Sequence, residues 1–77
     1  MDLKVKKLDS FDTFLIKGEI SNLMELERLF ISKPHLFVRF RGMTSTRTEG
    51  VYQVYLVAPQ ASLDAVEMHI NEFVNSH

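Results

Sequence analysis

From Ser62 onward the apolar residues fall at Leu63, Val66, Ile70, Phe73 and Val74, the spacing of one face of a helix. A helix that is apolar on one side must lay that side on a second layer of structure. The chain has 77 residues, room for one domain, 1–77, with a small core. A domain of that size buries roughly 60% of the surface its unfolded form exposes. The second layer therefore has to come from the same few dozen residues.

Upstream, the pattern changes period. Leu3-Lys4-Val5-Lys6-Lys7-Leu8 alternates as a short strand, and Asp9-Ser10-Phe11-Asp12 has turn chemistry. Thr13 to Ile20 predicts a second strand, with Phe14, Ile16 and Ile20 on one side and Thr13, Leu15, Lys17 and Glu19 on the other. Strands joined so closely form an antiparallel hairpin. A first helix begins at Ser21 or Asn22, where Asn22 and Glu25 have capping-box spacing. Leu23, Leu26 and Phe30 share its apolar face, and Pro34 ends it. Met24, Ile31 and Met68 lie off the main helical stripes and are expected to extend the core.

His35 to Arg41 predicts the third strand, with Leu36, Val38 and Phe40 inward and His35, Phe37, Arg39 and Arg41 outward. Gly42 to Gly50 reads as a long hairpin loop. Val51 to Ala58 is the fourth strand, with Tyr52, Val54 and Leu56 inward, and Pro59 stops it. Ser62 is placed to cap the second helix, and Asp64 suits its positive end.

The order ββαββα predicts a two-layer α+β sandwich: a four-stranded antiparallel sheet with two helices on one face. A right-handed crossover from the second strand to the third leaves room for the fourth between them. The strand order is then 1-2-4-3, a permuted ferredoxin-like layout. A 2-1-4-3 sheet and a swapped dimer are the alternatives.

The segment Thr44 to Phe73, with Gly50-Val51-Tyr52 opening a strand and Ala61-Ser62-Leu63-Asp64-Ala65 opening a helix, resembles the second half of the small bacterial YbeD-type domains. Thr13 to Gly18 is similar to their first strand. The resemblance implies a small regulatory domain. Those domains add a strand after the second helix, which these residues do not include.

Composition narrows function mainly by exclusion. There are no cysteines, so disulfide scaffolds, thiolate metal sites and cysteine nucleophiles are ruled out. No apolar run approaches the roughly 18 residues of a membrane span, and no signal-peptide pattern opens the chain, so a cytoplasmic protein without a membrane partner is expected. His35, His69 and His77 have no metal-ligand spacing, and His69 is expected on the outer helix face. There is no nucleophile elbow, phosphate-binding glycine loop or catalytic carboxylate pair. Ser10, Ser21 and Ser62 all have turn or capping roles. The chain is expected to bind rather than catalyse, with no cofactor and no metal.

The net charge of -1 hides a split. Residues 1–48 hold all nine Lys and Arg against six acids, whereas residues 49–77 hold four acids and no Lys or Arg. The face opposite the helices then carries Lys4, Lys6, Leu15, Lys17, His35, Phe37, Arg39, Arg41, Gln53 and Tyr55, with Glu19 as its acid. Exposed rings among cations mark an interface, so a protein partner or a second copy of the chain is the expected ligand. Single-stranded nucleic acid is the alternative, because cations meet phosphates and rings stack on bases. Phe37-Val38-Arg39-Phe40 ends like the RNA-recognition signature, but Pro34 and His35 stand where its glycine and aromatic belong. The loop adds Thr44, Ser45, Thr46, Arg47 and Thr48, hydroxyls and a guanidinium suited to a phosphate or an acidic side chain.

Overall fold

Phe14 and Ile16 on the second strand and Val54 and Leu56 on the fourth are buried, while Leu15, Lys17, Gln53 and Tyr55 between them are more open to solvent. That alternation divides the sheet into a covered face and an open one. The computed structural model describes residues 3–9 and 12–76. The elements are β1 (Lys4–Lys7), β2 (Thr13–Glu19), α1 (Ile20–Ile31), β3 (Arg39–Ser45), β4 (Val51–Val57) and α2 (Leu63–Asn75). Short 3-10 turns at Pro34–Leu36 and Gln60–Ser62 precede β3 and α2.

The sheet is antiparallel throughout, in the order β1-β2-β4-β3. Both helices pack on one face, as their stripes require. Leu23, Leu26 and Phe30 of α1 and Leu63, Val66, Ile70 and Phe73 of α2 join Phe14, Ile16, Val54 and Leu56 in one core. Full burial of such a side chain contributes about 1.5–3 kcal/mol. Leu3, Leu36 and Ala58 close the margins. The Phe30 ring lies 6.2 Å from that of Phe40, tilted at 49°.

Several boundaries differ from the sequence expectation. Ile20 belongs to the helix, not to β2. Glu19 pairs with Val51, the first residue of β4, so Ile20 has no ladder partner and its side chain is exposed. Glu19 is therefore the N-cap, with no side-chain capping bond, and the expected Asn22–Glu25 box is not formed. Ser62 does stand at the N-cap of α2, but in helical dihedrals and without a capping bond from its hydroxyl. Met24, Ile31 and Met68 lie on the outer surface of the helices, not in the core. His69 is not on the outer face. Its ring meets Phe30 edge-on at 6.4 Å, and Nδ1 lies 3.9 Å from the Glu72 carboxylate.

The largest correction concerns the approach to β3. The strand begins at Arg39, not His35. Pro34 opens a 3-10 turn, where its missing N–H costs nothing. The Leu36 amide donates to the Lys33 carbonyl at 3.1 Å, and the Phe37 amide donates to the Pro34 carbonyl at 3.1 Å. Phe37 then closes the turn in the left-handed region, at φ 55° and ψ 38°. β3 in turn continues past Gly42 to Ser45, so the loop expected at Gly42–Gly50 contracts to residues 46–50. Gly42, at φ 66°, serves a bulge: Arg41 pairs with Tyr55 and Thr44 with Gln53, leaving one extra residue on β3. The turn expected at Asp9–Asp12 falls partly on Ser10 and Phe11, which lie outside the described residues, as does His77.

Candidate binding face

The pairing registers align the open-face residues in rows across the sheet. One row runs Lys4, Lys17, Gln53, Thr44, and the next Lys6, Leu15, Tyr55, Arg41. A third runs Thr13, Val57, Arg39. Adjacent strands lie about 4.8 Å apart, so Lys6 and Arg41 stand about 14 Å from each other with Leu15 and Tyr55 between them. Leu15 and Tyr55 on the central strands are thus flanked across the sheet by Lys6 and Arg41 and along it by Lys17 and Gln53, with Val57 beyond them beside Arg39.

Lys4, Lys6, Lys17, Arg39 and Arg41 are all exposed on this face. Glu19 is the one carboxylate among the described strand residues that share it. None of the five cations forms an ion pair within the described residues, where His69 and Glu72 make the pair present. Lys7 has the opposite parity and stands on the helix side, with Nζ 6.0 Å from the centre of the Phe14 ring.

Two residues expected on this face are not on a strand. His35 is exposed within the 3-10 turn, and Phe37 follows it with 71% of its surface exposed. Phe37 still borders the face. It shares a shallow depression with Arg39 and Val57 at the end of the sheet where β3 begins. A bulky residue at positive φ is uncommon and costs roughly 1–2 kcal/mol, and an exposed ring recovers little of that through burial. Such an outlier is a reason to look for function at Phe37.

At the opposite end stands the 46–50 hairpin. Thr44 and Ser45, assigned to the loop from sequence, are β3 residues. Thr44 pairs with Gln53 on the open face because the bulge reverses the strand's parity, and Ser45 pairs with Tyr52. Thr46, Arg47 and Thr48 remain in the hairpin. Thr46 organises it: its hydroxyl donates to the Val51 carbonyl at 2.8 Å and accepts from the Thr48 amide at 3.2 Å. The Thr46 amide also donates to the Val51 carbonyl at 3.0 Å. The turn is therefore built around its own hydrogen bonds.

Among the described residues no group of three His, Asp or Glu side chains is placed to hold a metal ion. No helix among them is long and apolar enough to cross a membrane. No family model matches the chain, no curated protein matches it, and no solved structure matches it.

Proposed function

We propose that the protein is a small, non-enzymatic regulatory or inhibitory module that docks an acidic protein partner on its open sheet face. The observation that carries this is the arrangement of the face, with Leu15 and Tyr55 at its centre, Val57 beyond them, and exposed cations around them on both edge strands and at Lys17 of β2. An apolar middle inside a polar rim is the usual anatomy of a protein interface, and aromatic and Arg side chains carry much of the energy there. Phe37 extends the apolar part at one end.

Charge chooses among occupants. A second copy docking face to face would set five cations against five, which disfavours self-pairing. An acidic surface meets the same cations favourably. Nucleic acid would satisfy them too, but single-strand platforms stack successive bases on several rings. With Phe37 in the preceding turn, Tyr55 is the ring left on the strands of this face. The protein partner is therefore the reading we favour.

Fluorescence anisotropy separates the two, with a labelled glutamate-rich peptide carrying a central leucine pair and with labelled oligothymidylate. The peptide should bind more tightly, and its binding should weaken as salt rises. The Lys17→Glu/Arg41→Glu variant should lose that binding while melting no lower than the parent, because both side chains are exposed and the Lys17 change removes the like charge facing Lys4. Tighter binding of oligothymidylate would replace the protein reading with the nucleic-acid one. Binding of neither probe would refute both.

A further inference from the structure

The hairpin end of the open face is more specialised than the rest. Lys4, Lys17 and Arg47 line one depression there, together with Glu19 and the hydroxyl-bearing Thr48. Lys4 and Lys17 are direct cross-strand partners. Like charges in that position destabilise a sheet, and neither lysine has an ion-pair partner among the described residues to offset it. Arg47 joins them from a hairpin whose shape is set by the Thr46 bonds to Val51 and Thr48. The Thr48 hydroxyl has no hydrogen bond within the described residues. Three cations against one carboxylate leave this depression with an excess of two positive charges.

We propose that this depression is a binding site for a phosphate monoester dianion, presented by the partner as a phosphorylated side chain. The charge match favours it over a carboxylate. A phosphate monoester carries close to two negative charges at neutral pH and three acceptor oxygens. Arg47 can take two of those oxygens through its planar fork, leaving the third for the lysine ammonium groups. A carboxylate has one charge and two oxygens, and it leaves a cation unmatched. The source of the phosphate rests on the protein-partner reading, whereas the anion site itself does not.

The test uses ¹⁵N-labelled protein and three probes: inorganic phosphate, the glutamate-rich peptide with a central serine, and the same peptide with phosphoserine. Inorganic phosphate should shift the amides of Thr46, Arg47, Thr48, Lys4 and Lys17 before others. Phosphorylation should tighten peptide binding by about tenfold or more, the equivalent of at least one charge-assisted hydrogen bond. Arg47→Ala should abolish that gain and keep the binding of the serine peptide, whereas Arg41→Ala should weaken both peptides and keep the gain. The gain should also shrink below about pH 6, where the phosphate loses its second charge. No gain from phosphorylation, or a gain that survives Arg47→Ala, would overturn the site. Failure of both peptides with phosphate shifts intact would overturn the docking reading and leave the anion site standing. Tighter binding of a terminally phosphorylated oligothymidylate than of the phosphopeptide would overturn the protein source.

Discussion

Replacing Phe37 by glycine and by alanine tests the turn before β3 most sharply. Both substitutions remove the same ring, of which less than a third is covered, so its lost burial cancels in the comparison. What remains is the backbone. At φ 55° and ψ 38° a residue with a Cβ costs about 1–2 kcal/mol, and glycine does not bear that cost. Glycine instead loses more freedom on folding, a penalty of about 0.5–1 kcal/mol relative to alanine. Phe37→Gly should therefore be the more stable variant by about 0.5–1 kcal/mol. In a domain of this size that separates the melting temperatures by a few degrees, since about 1 kcal/mol corresponds to roughly 4–8 °C. The strand expected at His35–Arg41 predicts the opposite order, because glycine in a strand is the less stable of the two. Paired thermal melts read the sign directly. An alanine variant that melts above the glycine variant would refute the left-handed turn.

Phe73 is buried at 8% exposure in the α2 stripe, so Phe73→Ala should cost about 3–5 kcal/mol and leave little folded protein at body temperature by circular dichroism. Lys4→Glu turns a like-charged pair with Lys17 into an attractive one. It should raise stability in urea by about 0.2–1 kcal/mol while weakening phosphate binding. Gly42→Ala should cost about 0.5–1 kcal/mol in the same assay, the left-handed backbone strain less the chain entropy that alanine saves. The added Cβ would meet Tyr55 Cδ2 at an ordinary 3.8 Å.

The parts of the fold that could be read from sequence are those where apolar spacing has one solution. Phe14 and Ile16 alternate with Leu15 and Lys17, and the Leu63–Phe73 stripe has a single face, so β2 and α2 follow directly. The strand order follows from the crossover rule once both helices need the same sheet face. The segment before β3 misleads because Leu36, Val38 and Phe40 keep an inward period of two. Leu36 is indeed buried, but from a turn that Pro34 nucleates and Phe37 closes. Gly42 reads as the start of a loop, since nothing local distinguishes a bulge glycine from a turn glycine. Ile20 reads as strand because the end of its ladder is fixed by Val51, thirty-one positions away. On the open face, Lys4, Lys6, Lys17, Arg39, Arg41, Gln53 and Tyr55 follow from parity. The meeting of Lys4 and Lys17 with Arg47 depends on a register and a hairpin shape that spacing does not reveal.

The proposed docking face has a rival in the outer side of the helices, where Met24, Ile31 and Met68 are exposed. A ¹⁵N–¹H correlation spectrum recorded during titration with the glutamate-rich peptide distinguishes the two. The amides of Leu15, Lys17, Arg41, Gln53 and Tyr55 should move together and saturate together, with Phe37 following at the edge. Shifts concentrated on Met24, Ile31 and Met68, with the open-face amides unmoved, would contradict the account.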